Sequence, residues 1–226
     1  MQNSNRKKAL ILIAILLVPS ILYLLLSTGT NNFKPLLIYG PKEVNASGDT
    51  LYHTIPKFSF TDQNGNKFSN DQLDSNIYVA SFFFATCPTI CPKMATNMLQ
   101  VQDRFRDRND FKLVSITVNP EHDTPEVLKG YAMDVHAMDD KWTFLTGDKD
   151  AIYDVAFNGY FVSAQKDSIA PGGFLHSANI ILVDGKGRVR GYFDGTSASE
   201  TNDLFDAIEI LLVEKYVPRK NKRSDG

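Results

Sequence analysis

The sequence predicts an α/β domain, a central mixed sheet flanked by helices, preceded by an N-terminal hairpin and an N-terminal transmembrane helix. Three observations carry this expectation. Two apolar runs have the composition of buried strands and each leads into a helical repeat; two polar turns are flanked by strand-like residues; and a third, uncharged run lies close to the N-terminus. The 226 residues suffice for one anchor and one compact domain of about 150–190 residues. Composition is that of a globular protein, 43% apolar and 22% charged, with a formal net charge of −2. Arg6, Lys7 and Lys8 precede the apolar run, so the remainder is mildly acidic. That balance argues against a nucleic-acid binder, which needs a basic patch to neutralise phosphates.

Residues 9–26 form an uncharged run of about 18 residues, near the length that spans hydrocarbon. Pro19 inside it is tolerable in a membrane helix. The basic flank places the N-terminus in the cytoplasm and exports everything after Ser27. The alternative is a cleaved signal peptide. Against it stand the length of the run, a poor small-residue cleavage site and no following Cys for lipid attachment. The expected organisation is therefore a cytoplasmic end (1–8), a transmembrane anchor (9–27), a tether (28–50), a folded domain (51–217) and a polar tail (218–226). Localisation follows: membrane-anchored, with the domain on the extracytoplasmic side.

Within the tether, residues 36–39 read as a short strand. In the domain, Asn64-Gly65 lies between Lys57–Phe60 and Lys67-Phe68, and both turn residues tolerate positive φ, a strong hairpin signal. Residues 77–85 are continuously apolar with β-branched and aromatic side chains, as in a strand covered on both faces. From Cys91 to Arg108, Met94, Met98, Val101 and Phe105 repeat every three or four residues, as on one helix face. Residues 111–118 read as a second buried strand. Thr124-Pro125 opens a helix to about Val135, with Thr124 as N-cap and Pro125 in the first turn. A strand at 142–145, a helix around 148–157 and a strand at 160–164 follow. Strands at 177–183 and 188–193 join through Asp184-Gly185-Lys186-Gly187, and an amphipathic helix at 202–215 closes the domain. Alternating β and α elements ending in an antiparallel hairpin give a mixed sheet with helices on both faces. Thioredoxin-like folds have that order.

The chain has two cysteines, in Thr86-Cys87-Pro88-Thr89-Ile90-Cys91-Pro92, where a buried strand gives way to a helix. The free amide groups and dipole at a helix N-terminus favour thiolates. Four readings compete. A structural disulfide closing so short a loop gains only about 2 kcal/mol, against about 4.7 for a loop of about 100 residues. A thiol–disulfide oxidoreductase usually spaces its cysteines C-x-x-C. A thiol peroxidase is the third. The fourth is a metal site, which the spacing favours: three intervening residues let both sulfurs converge on one ion, and Pro88 and Pro92 restrain the loop. Paired thiolates suit Cu(I), and an added imidazole would also hold Cu(II). Structural zinc normally takes four protein ligands. Of the four histidines, His176 begins an apolar strand after the loop Ala170-Pro171-Gly172-Gly173, at the sheet end where the cysteine loop belongs. His122 is a weaker candidate; His53 and His136 read as surface residues.

These motifs resemble the SCO/SenC family, copper proteins of cytochrome oxidase assembly. The resemblance rests on Cys87-Pro88-Thr89-Ile90-Cys91-Pro92, on residues 115–120 through Asp123-Thr124-Pro125, on His176-Ser177 leading to Leu182-Val183-Asp184, and on Leu145-Thr146-Gly147 after Trp142. It covers residues 56–212. It implies copper, Cu(I) or Cu(II), held by Cys87, Cys91 and His176, with the two cysteines also acting as a redox pair. It implies a metallochaperone with accessory thiol-reductase capacity rather than a classical enzyme. The implied partners are the copper-bearing subunit of cytochrome c oxidase, a thioredoxin-like reductant, other copper chaperones and the membrane. One departure is Asn119, where the family often has Asp; a neutral amide cannot make the same charge-assisted contact. The rival reading is a dithiol oxidoreductase or thiol peroxidase without a metal role, and the two diverge at His176.

Overall fold

The structure, a computed structural model, describes residues 2–27, 35–162 and 178–216. It divides into two units, Met1–Lys34 and Pro35–Gly226. The first contains α1 (Gln2–Ser27), with Pro19 inside the helix. Among the described residues no helix is long and apolar enough to cross a membrane. The transmembrane span expected over 9–27 is therefore not shown by the fold, although its helical state is.

The second unit is built on a seven-stranded mixed sheet flanked by helices. Its strands are β3 (Ser59–Asp62), β4 (Lys67–Ser69), β5 (Ile77–Phe83), β6 (Phe111–Thr117), β7 (Trp142–Thr146), β8 (Asn179–Val183) and β9 (Val189–Asp194). They lie in the order β4-β3-β7-β6-β5-β8-β9. β5 and β6 are parallel from Ile77↔Phe111 to Phe83↔Thr117, and β6 and β7 are parallel as well. β8 and β9 return antiparallel on the other side of β5. Every residue of β5 is buried, so both of its faces are covered, as its unbroken apolar sequence requires. The helices are α2 (Cys91–Arg104), α3 (Pro125–Asp134), α4 (Lys149–Asp154) and α5 (Ala198–Tyr216). Thr124 caps α3 by accepting from the Val127 N–H, with Pro125 in the first turn.

Several elements differ from expectation for identifiable reasons. The Asn64-Gly65 turn is longer than a two-residue hairpin, and only Gly65, at φ 79°, takes positive φ. Asp62 stabilises it by accepting from the Asn64 and Asn66 N–H groups. Gln63 turns inward, where its Oε1 accepts from the Phe144 N–H at 2.9 Å and ties the hairpin to β7. The strand expected at 160–164 does not form over its described residues. α4 instead continues into a π-helical turn (Val155–Gly159), and Phe161 sits at φ 51°; residues 163–164 lie outside the described residues. The tether expected over 28–50 is partly ordered structure: β1 (Lys42–Val44) pairs antiparallel with β2 (Thr50–Tyr52). Residues 36–39 form no strand of their own. They lie along β9, with the Tyr39 N–H donating to the Val189 carbonyl at 3.0 Å. Arg190, 3% exposed, donates to the Leu36 and Leu37 carbonyls and pairs with Asp184 and Glu214. The tail at 218–226 lies outside the described residues.

Candidate metal centre

β5 ends at Phe83, and four residues later the chain reaches Cys87. A turn closed by the Cys87 N–H on the Phe84 carbonyl, 3.1 Å, directs the loop back over the sheet. Cys91 is the first residue of α2, and Pro92 occupies the first turn, where its missing N–H costs no hydrogen bond. The fold thus brings both expected cysteines to the point where β5 gives way to α2. Both are buried and reduced, 6% and 4% exposed.

The two thiols are not equivalent. Burial opposes ionisation of Cys87, but hydrogen bonding from the Cys91 thiol, from the Thr89 and Cys91 backbone and from the Thr89 hydroxyl outweighs it, so its pKa falls below that of an ordinary thiol. Cys91 is pushed up to about 12, first by burial and then by its hydrogen bond with Cys87 and the charge of Asp123, against a lowering backbone hydrogen bond from Phe84. Chemically this is a more acidic thiol next to a held one, the pattern of an attacking and a resolving sulfur. A cavity of about 10 Å³ lies behind Cys91, lined by Met94, Met98, Ser81, Ser115 and Tyr131 among others, room for a single water. Burial, and then the charges of the two cysteines and Asp123, raise the Tyr131 hydroxyl well above the phenol range and keep it neutral.

Beneath the loop lies a residue whose importance the sequence did not signal. Asp123 is completely buried. Its Oδ2 accepts from the Ala85 N–H at 3.0 Å and from the Thr117 hydroxyl, and its Oδ1 lies 2.8 Å from His122 Nδ1. It thereby pins the ends of β5 and β6 together below the cysteines. The Asn119 carbonyl accepts from the His122 and Asp123 N–H groups and closes the turn that carries it. His122 is half exposed, with its ring fixed by Asp123. His53 and His136 lie elsewhere in contacts of their own. His53 Nε2 is 3.1 Å from the Gly159 carbonyl and its ring packs on Phe161. His136 lies just after the end of α3, at φ 56°. His176, the expected third ligand, lies outside the described residues, as do Pro171 and the start of the 177–183 strand. Among the described residues no three His, Cys, Asp or Glu side chains form a metal-holding group.

The SCO1/SenC family model matches residues 47–212. The chain belongs to the SCO1/SenC family. An SCO2-like protein of Rickettsia prowazekii is 32% identical over 214 residues, covering 90% of this chain and 97% of the relative. BsSco, described as a member of the Sco family of cytochrome c oxidase assembly proteins with a disulfide switch, superposes with TM-score 0.62 at 27% identity, over 70% of this chain and 93% of its own. ScoI of Bradyrhizobium japonicum, solved with copper bound, superposes with TM-score 0.56 at 28% identity, over 68% and 99%. The mixed sheet flanked by helices is thus the thioredoxin-like Sco architecture.

Proposed function

We propose that this SCO1/SenC protein is a copper metallochaperone that helps assemble the dinuclear copper centre of cytochrome c oxidase. The observation that carries the reading is the pair of buried, reduced thiols at the start of α2, a soft donor set suited to Cu(I). The copper-bound and oxidase-assembly relatives support the same choice of metal and client. Cys87 and Cys91 hold the ion, and His176 supplies the imidazole that extends the site to Cu(II). Delivery proceeds by ligand exchange to the oxidase subunit. Binding displaces thiol protons, so affinity falls on acidification. Oxidation joins the two sulfurs with loss of two electrons and two protons and removes the site; a thioredoxin-like dithiol reverses it. The α1 helix, with Arg6, Lys7 and Lys8 on its N-terminal side, holds the domain at the membrane on the extracytoplasmic face.

The test is anaerobic titration of the reduced full-length protein with copper, wild type beside His176→Ala and Cys87→Ser. Stoichiometric binding, with a sulfur-to-Cu(II) charge-transfer band displaced in His176→Ala and lost in Cys87→Ser, is expected. Weak binding indifferent to both substitutions would reject it. A second reading, a thiol–disulfide reductase, is favoured by the unequal thiols. Dithiol exchange that survives His176→Ala in a protein without tight copper binding would establish that reading instead.

A further inference from the structure

We propose that Asp123 sets which cation charge the dithiol site prefers, favouring a divalent over a monovalent thiophilic ion. The inference rests on the metal-binding reading above and goes beyond it by assigning a specificity-determining group outside the expected ligand set.

The Ala85 N–H and the Thr117 hydroxyl donate to one oxygen of the Asp123 carboxylate, and His122 Nδ1 lies 2.8 Å from the other. Among the described residues, the half-exposed His122 imidazole is its one ion-pair partner, so no Lys or Arg there cancels its charge. The carboxylate also lies close to the sulfurs. Cys91 takes a backbone hydrogen bond from Phe84, and Asp123 takes one from the next residue, Ala85, at 3.0 Å. Two groups bound to consecutive amides are separated by on the order of 10 Å at most. Asp123 is fully buried, so little solvent or salt intervenes.

Each added unit of positive charge at the thiols feels this carboxylate. At about 10 Å and an effective dielectric near 20, one extra unit changes binding roughly ten- to twentyfold. The bis-thiolate pair supplies sulfur affinity to any soft ion. Asp123 adds a component that scales with ionic charge, and so separates Cu(II) from Cu(I) without touching the metal.

Asp123→Asn isolates that component. The amide oxygen can keep the Ala85 and Thr117 bonds, and the NH₂ can face His122 Nδ1 in its other tautomer. Shape and hydrogen bonding then survive while the charge is removed. Thr117→Val is the complementary variant: it deletes one donor and leaves the charge in place. The experiment titrates the reduced full-length protein with Ag(I) and with Cd(II), redox-inert soft ions of charge one and two. Asp123→Asn is expected to weaken Cd(II) about tenfold or more relative to Ag(I), and Thr117→Val to change that ratio less than about threefold. An unchanged ratio in Asp123→Asn overturns the inference and leaves the copper reading standing. So does an equal change in Thr117→Val, which would mark the effect as positional. Wild-type protein that binds neither ion at the cysteines would instead overturn the metal-binding reading, and this inference with it.

Discussion

Asp184 and Asp123 are both buried carboxylates of the same domain, and they are surrounded differently. Asp184 accepts from Arg188 at 2.7 and 2.9 Å and from Arg190 at 3.0 Å, with the Lys186 and Arg188 N–H groups on its other oxygen. Burial opposes its ionisation, but Arg188 and those amides hold its carboxyl below the usual range. Asp123 is held by an amide, a hydroxyl and an imidazole. The first carboxylate has its field cancelled within a few ångströms and serves stability. The second keeps a field that reaches its neighbours, and its neighbours are the cysteines. Both carboxylates are hydrogen-bonded; the charge of the groups that bind them separates the two.

The comparison can be broken from either side. The largest effect is expected in Asp184→Asn, which leaves two guanidinium groups poorly matched and costs about 3 kcal/mol in urea unfolding at neutral pH. The sign of its pH dependence follows from the depressed carboxyl: the stabilisation is present above the ordinary unfolded value near 3.9 and is lost as pH falls through the lower folded value. Wild type and variant should therefore converge in acid, and a constant gap down to low pH would contradict the assignment. Metal binding in Asp184→Asn should match wild type. Next comes Arg190→Leu, expected to cost about 2 kcal/mol through the stranded Leu36 and Leu37 carbonyls, with faster hydrogen exchange at the Tyr39 amide. An intermediate case is Asp148, whose carboxylate accepts from the Ala151 N–H at 2.9 Å at the start of α4; Asp148→Ala should cost about 1 kcal/mol. Smallest in stability is Asp123→Asn, under about 1 kcal/mol, though it has the largest effect on the site. The inequality of the thiols is checked separately. Iodoacetamide near neutral pH should modify Cys87 first, while Cys91 resists until strongly alkaline pH; equal rates would refute the ordering.

What was legible in the sequence follows the range of the interaction that decides each element. β5, β6 and α2 are dictated by their own side chains, and apolar continuity or a three-to-four-residue repeat exposes them directly. The cysteine pair was legible because its spacing and its place at a strand end are both local. Gln63 and Arg190 were not, since each is decided by partners more than 75 residues away, the Phe144 N–H and the Leu36 and Leu37 carbonyls. The run at 160–164 has strand composition, but a π-helical turn and the buried contact between the Tyr160 and Tyr78 hydroxyls claim its start. Asp123 stood in the motif Asp123-Thr124-Pro125 with no role assigned to it. Only the parallel register of β5 with β6 brings Ala85 and Thr117 to it.

The docking of residues 36–39 along β9 has a practical consequence. β9 is the last strand of the sheet, and the Tyr39 N–H occupies the Val189 carbonyl. A truncation beginning at Leu51 would strip that cover and leave open backbone groups on a sheet border, a template for pairing with another copy. A truncation beginning at Pro35 keeps the border closed. The first should self-associate and the second remain monodisperse in light scattering, so the useful boundary for a soluble fragment lies well before the first strand of the main sheet.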